Sequence, residues 1–139
     1  MTRFALGLLA LALAACTPGA GPRPITAGTE CATCGMAIQD LRFACEERRA
    51  GRYRFYDAIE CLMRSGPTSQ AIWLADYDSR TLLPADSVWV VKADIPSPMG
   101  GGLVAFRDRS AAEEIAVERR GRVARFAEFA SHDSTRRER

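Results

Sequence analysis

Leu41-Arg42-Phe43-Ala44-Cys45-Glu46 and Arg52-Tyr53-Arg54-Phe55-Tyr56-Asp57 flank the polar run Glu47-Arg48-Arg49-Ala50-Gly51, and the second stretch leads straight into Ala58-Ile59-Glu60-Cys61-Leu62-Met63-Arg64. Apolar and aromatic residues alternating with charges predict two short strands, 41–46 and 52–57, and the glycine-terminated polar run predicts the loop of a hairpin. Asp57 offers an N-cap to a helix over residues 58–64, which Gly66-Pro67 stops. A second block repeats the theme: residues 71–76 and 88–92 are rich in β-formers, 103–106 is a short apolar strand, and 110–120 reads as a helix ended by Gly121. The strand-to-helix junctions correspond, Phe55-Tyr56-Asp57 in one block and Phe106-Arg107-Asp108 in the other. The expected fold is therefore a single small α+β domain of two ββα units with short antiparallel strands. Residues 122–129 alternate loosely as a final strand, and the arginine-rich remainder, 131–139, is expected to be a disordered tail.

Just upstream of the hairpin stands Cys31-Ala32-Thr33-Cys34-Gly35-Met36, which gathers two thiols and a thioether in one short stretch. Sulfur donors are polarizable and select Cu(I), whereas zinc sites draw on thiolate, imidazole and carboxylate, so the methionine tilts a metal reading toward copper. The same Cys-x-x-Cys pair in an exported protein also fits a plain disulfide. A further methionine, Met99, lies in Pro96-Ser97-Pro98-Met99-Gly100-Gly101-Gly102, where prolines and glycines continue neither strand nor helix. Met99 is thus carried by an irregular loop, either as a ligand or as filler for the nearby core. Cys45 and Cys61 could pair with each other; the preferred reading makes each a small buried hydrophobe, in strand and helix respectively. No second Cys-x-x-Cys at ribbon spacing supports a closed four-cysteine zinc site.

The N-terminal segment sets the compartment. Arg3 supplies a positive start, residues 4–13 are continuously apolar but too short to span a bilayer, and Ala14-Ala15 are the small residues that precede cleavage. Leu13-Ala14-Ala15-Cys16 resembles a bacterial lipobox, whose cysteine takes a diacylglyceryl group, becomes the new N-terminus and is usually acylated at its amine. Residues 1–15 are expected to be a lipoprotein signal peptide and Cys16 the lipidation site; the alternative is an ordinary secretory signal that leaves this cysteine free. Each buried methylene contributes about 0.8 kcal/mol, and two or three acyl chains make a stable anchor. Residues 16–30, rich in Gly, Pro and small polar side chains, are expected to form a flexible tether to a domain over 31–130. Thr17 after the lipidated cysteine, where aspartate signals inner-membrane retention in many Gram-negative bacteria, leans toward an outer-membrane anchor facing the periplasm. The formal charge of +2, with basic and acidic residues interspersed, argues against nucleic acid as a partner.

The lipobox, Cys34-Gly35-Met36 after a spacer, and Pro98-Met99-Gly100 before a Val104-Ala105-Phe106 strand together resemble the NosL family, copper-binding accessory lipoproteins of nitrous oxide reductase assembly. The resemblance extends through the aromatic strand leading into Asp57-Ala58-Ile59-Glu60-Cys61-Leu62-Met63, then Trp73-Leu74-Ala75-Asp76-Tyr77 and Gly121-Arg122-Val123. It implies a periplasmic Cu(I) carrier, a metallochaperone and not an enzyme, that supplies copper to apo nitrous oxide reductase and its maturation complex in denitrification. By position, Cys34 and Met36 match the family's Cys-Gly-Met and Met99 its Pro-Met-Gly. Cys31 is the fourth candidate metal residue, as a ligand, a spare thiol or a disulfide partner. A carrier for another exported cuproenzyme is a related alternative.

Two other classes stay open on the residues. A thiol-disulfide oxidoreductase using Cys31 and Cys34 needs its first cysteine at a helix N-terminus, and this pair follows a coil and precedes Gly35 and a hairpin. A structural lipoprotein would lock the pair in an inert disulfide. His132 lies in the arginine-rich tail with no partner histidine and is assigned no role.

Overall fold

The computed structural model describes residues 21–67 and 71–137, with side chains through Ser131 in the last helix. The signal segment, Cys16 and the start of the tether lie outside the described residues. The hairpin forms from β1 (Cys45–Arg49) and β2 (Arg52–Tyr56), with Arg49 opposite Arg52, so the turn is only Ala50-Gly51. Both turn residues have positive φ, 48° and 76°, the two-residue geometry whose twist matches that of the strands. Glu47, Arg48 and Arg49, expected in the loop, belong to the strand, and residues 41–43, expected in the strand, form a turn.

Polar residues enter β1 because each finds a partner. Glu47 is fully buried, yet it accepts the Tyr56 hydroxyl at 3.1 Å and pairs with Arg49 at 3.0 Å. Glu46, also fully buried, accepts the Arg23 backbone N–H through both oxygens, at 3.1 and 2.9 Å. That contact corrects the tether: Arg23 also lies 4.6 Å over the Tyr53 ring, Tyr53 donates to the Gly21 carbonyl, and Ile25 packs against the core. Residues 21–30 are docked along the first sheet, where the Arg23 N–H supplies a donor to buried Glu46.

After β2 the chain turns into α1 (Ile59–Arg64), whose N-cap is Ala58 with no side-chain cap bond; Asp57 does not cap the helix as expected. β3 (Ile72–Ala75) then returns to pair with β1, and β4 (Leu82–Pro84) pairs with β3, giving a four-stranded sheet ordered β2-β1-β3-β4. β3 was expected to open the second block, and β4 was not foreseen: three residues ending in proline make a weak strand signal, and proline is tolerated there because the strand is an edge.

A second sheet, ordered β6-β5-β7, follows from β5 (Trp89–Lys92), β6 (Leu103–Phe106) and β7 (Arg122–Ala124), with α2 (Arg109–Glu118) between the last two. Alternation along β5 and β6 builds two cores. Val90, Leu103 and Ala105 face a large core shared with Cys45, Tyr56, Leu62 and Leu74 of the first half. Val91, Val104 and Phe106 face α2 through Ala112 and Ala116. Covered on both faces, β6 reads as an unbroken apolar run. Each half thus contains a hairpin followed by a helix, the ββα units expected, with two antiparallel sheets in one α+β domain.

The C-terminal stretch departs from expectation. β7 stops at Ala124, and α3 (Phe126–Arg137) replaces both the rest of the predicted strand and the predicted irregular tail as far as Arg137. Glu128 reaches back to the Arg125 N–H at 3.0 Å, half of a capping box, and Phe126 and Phe129, one helical turn apart, are both buried. No described helix is long and apolar enough to cross a membrane.

Candidate metal centre

Residues 31–36 form a tight loop closed by its own backbone: the Cys31 N–H donates to the Met36 carbonyl at 2.8 Å and the Gly35 N–H to the Cys31 carbonyl at 3.0 Å. Gly35 has φ +73°, which glycine adopts without the strain that a side chain would bring. The loop is pinned twice to the first unit. The Ala32 N–H donates to the Phe55 carbonyl at 2.8 Å, on β2, and the Thr33 hydroxyl to the Cys61 carbonyl at 2.8 Å, on α1. These contacts lay the two loop thiols over the start of α1.

There they meet two residues that the sequence reading assigned elsewhere. Donor atoms of Cys31, Cys34, Asp57 and Cys61 all lie within 4.8 Å of one another. Cys31 and Cys61 are buried, Asp57 is 2% exposed, and Cys34 is half-buried and so faces the way in. All four described cysteines are free thiols, so neither the Cys31–Cys34 nor the Cys45–Cys61 disulfide is formed. Cys45 holds the core position expected of it, its thiol donating to the Phe43 carbonyl at 3.3 Å. Cys61 is equally buried, but its thiol also belongs to the cluster.

The Cys34 thiol points to Asp57 Oδ2 at 3.6 Å, while Asp57 Oδ1 is buried without a hydrogen-bond partner among the described residues. Burial pushes the Cys34 thiol above its ordinary pKa, and neighbouring Cys31 and the Asp57 charge push the same way, against the Met36 backbone N–H and Cys61, which favour the thiolate. Burial raises Cys61 much further, helped by its hydrogen bond to Asp57, the Asp57 charge and Cys31. These surroundings favour the neutral thiols, and a bound cation is what would compensate their ionisation. A carboxylate oxygen left unpaired in the interior costs about 1–3 kcal/mol or more, a cost that a ligating metal would remove.

The thioethers are placed differently. Met36 ends the loop with 49% of its surface exposed, and Met99 is half-buried against the large core that also contains Cys31 and Cys61. The loop carrying Met99 is fastened by Glu60 of α1, whose Oε1 accepts the Leu103 N–H and the Ser97 hydroxyl, each at 3.3 Å. Ser97 in turn accepts the Gly102 N–H at 3.0 Å. Of the four candidates read from the sequence, Cys31 and Cys34 thus meet at one point, joined by Asp57 and Cys61. Asp57 lies just before the Ala58 N-cap and Cys61 in the first turn of α1, so the chain's entry into the helix sets them side by side.

A small α+β domain with a buried thiol–carboxylate cluster beneath a Cys-Gly-Met loop defines a class of candidate metal-binding proteins. Comparison with known proteins narrows the class: the family model NosL matches residues 22–133, and the chain belongs to that family. No curated protein sequence matches at a significant level. Among solved structures, the chain is similar to the crystal structure of the copper chaperone NosL from Shewanella denitrificans, with TM-score 0.68 and 18% identity over 80% of this chain and 96% of that one. At that identity the likeness establishes the shared fold.

Proposed function

We propose that this chain is a Cu(I) metallochaperone, held on the periplasmic side of the envelope by lipidated Cys16, that delivers copper for nitrous oxide reductase maturation. The observation that carries the reading is the convergence of loop and helix thiols in one cluster, with Cys34 on its more exposed side, in a NosL-family fold. Copper is the cargo. Cys34, the half-buried thiol, is its principal ligand, with the thioethers of Met36 and Met99 and the thiol of Cys31 completing a soft, low-charge set. Such a set holds Cu(I) in the reduced state and leaves one side open for hand-over to apo nitrous oxide reductase or its maturation complex. The half-exposed position of Met36 supports an exchangeable ligand at the mouth. The oxidoreductase alternative loses support, because residues 32–34 form a turn without a helix and Cys34 is pushed toward the unreactive thiol.

The test is an anaerobic Cu(I) titration of the reduced protein against a competing chelator, with Cys34→Ser and Met99→Ala alongside. Stoichiometric binding that Cys34→Ser abolishes and Met99→Ala weakens is the expected result. Affinity unchanged in Cys34→Ser would end the proposal.

A further inference from the structure

The four convergent donors do not suit copper alone. Cu(I) is satisfied by two or three sulfurs and gains little from a carboxylate, yet Asp57 is 98% buried against three thiols with one oxygen unpartnered. Three sulfurs and one oxygen around one point are a tetrahedral set for a borderline divalent ion. With metal–sulfur bonds of about 2.3 Å, tetrahedral ligation brings sulfurs to roughly 3.8 Å apart. The donors, within 4.8 Å already, need to close by on the order of 1 Å or less, and Cys34 sits on a loop rather than in a sheet. We infer that Cys31, Cys34, Asp57 and Cys61 form a second, inner metal site selective for Zn2+-class ions, which shares Cys31 and Cys34 with the copper site and is mutually exclusive with it.

On loading, each of the three thiols releases a proton to solvent, and three thiolates with one carboxylate give the filled site the same net −2 as a four-cysteine zinc centre. None of the four donor atoms is the thioether of Met36 or Met99. Zinc would thus be held without either thioether and would occupy the thiols that copper needs. The inference goes beyond the copper reading, and the two meet at Cys31 and Cys34.

Co2+, a spectroscopically visible stand-in for Zn2+, is titrated into the reduced full chain under anaerobic conditions, followed by Zn2+ back-titration and Cu(I) titration in parallel. Expected are one Co2+ per chain with thiolate-to-metal charge transfer and tetrahedral ligand-field bands, lost on adding one equivalent of Zn2+. Asp57→Asn, which preserves side-chain shape, and Cys61→Ala should each weaken Zn2+ by at least the roughly 10–100-fold that loss of an outer partner costs, with far-ultraviolet circular dichroism unchanged. Met99→Ala should leave Zn2+ affinity unchanged while weakening Cu(I), and Asp57→Asn should do the reverse. Absence of charge-transfer bands in the parent overturns the inference whatever the variants do. So does a zinc affinity that falls with Met99→Ala as far as copper affinity does. Failure of Cu(I) binding with zinc binding intact would sink the carrier reading and leave this one standing.

Discussion

Gly101→Ala tests whether the Met99 loop is rigidly held. A Cβ built on Gly101 would stand 2.3 Å from Glu60 Oε1, 2.6 Å from its Cγ and 2.8 Å from its Cδ, all closer than real Cβ atoms approach. Gly101 itself is outside the left-handed region, so alanine brings no backbone strain and the effect is steric. Glu60 must withdraw, releasing the Ser97 hydroxyl and the N–H of Leu103, which is only 4% exposed. Stranding a buried N–H costs about 1–3 kcal/mol; if the loop shifts instead, overpacking costs about the same. Urea unfolding of the reduced protein should show that loss with an unchanged m-value. Because Met99 lies two residues away, Cu(I) affinity should fall in the same variant. Glu60→Ala removes the clashing atoms, and the Gly101→Ala/Glu60→Ala double variant should recover part of the stability lost by Gly101→Ala, a coupling that a double-mutant cycle reads directly. Gly100→Ala is the contrast: φ is +71° with nothing within 4 Å, so only the left-handed cost of roughly 1–2 kcal/mol applies and Glu60→Ala gives no rescue. Parental stability and copper affinity in Gly101→Ala would refute the idea that Glu60 fixes the loop.

Three further outcomes follow from the same packing. Burial raises the Glu46 carboxyl from its usual 4.5 to about 6, against the Arg23 N–H, so the fold favours its protonated form; that stabilisation is fully present below pH 4.5 and lost as pH rises through about 6. Glu46→Gln should remove up to about 2 kcal/mol of this pH dependence, seen as urea midpoints of parent and variant that draw together or cross between pH 4.5 and 7.5. Tyr56→Phe strips the hydroxyl from buried Glu47 and should cost about 1.5–3 kcal/mol by urea unfolding; a loss under 0.5 kcal/mol would mean that Arg49 alone satisfies the carboxylate. Deleting residues 21–25 removes the Arg23 contacts, Ile25 and one wall of a cavity of ≈ 330 Å³ also lined by Leu41 and Leu82, and should lower stability by about 1–3 kcal/mol, where a free spacer would change nothing.

What was legible in the sequence was what is decided locally. Gly51 and the aromatic alternation up to Tyr56 specify the hairpin, the apolar run 103–106 its counterpart, and Gly121 the end of the second helix. The errors in the first unit share one cause, a local rule overridden by a distant partner. Glu47 to Arg49 look like loop because they are charged, but Tyr56 and the central place of β1 make room for them in a strand. Asp57 looks like a cap, and three thiols from two other segments claim it instead. Phe126 and Phe129, three residues apart, fit the helical period and not the strand's, and Glu128, three residues past Arg125, was the capping signal that pointed the same way. At the site, Cys31 and Cys34 were recognisable from spacing, whereas burial alone could not separate Cys61 from Cys45, since a core thiol and a ligand thiol look alike until the neighbouring donors are known.

The burial gradient across the cluster bears on how a carrier keeps its cargo exchangeable. Cys34 is the thiol that solvent reaches, while Cys31 and Cys61 are sealed behind it. An incoming ion therefore meets Cys34 first, and moving deeper requires ionising Cys61, which burial and the Asp57 charge oppose strongly. Cu(I), a monocation, compensates only part of that cost, and the thioethers offer it neutral ligands that need no deprotonation. A divalent ion brings twice the charge and can engage Asp57 as well, so the same barrier is lower for it. On the proposed reading, buried Cys61 and Asp57 act as a sorting device: the monovalent cargo stays with the sulfurs of the 31–36 loop and Met99, while the divalent ion engages the inner pair as well.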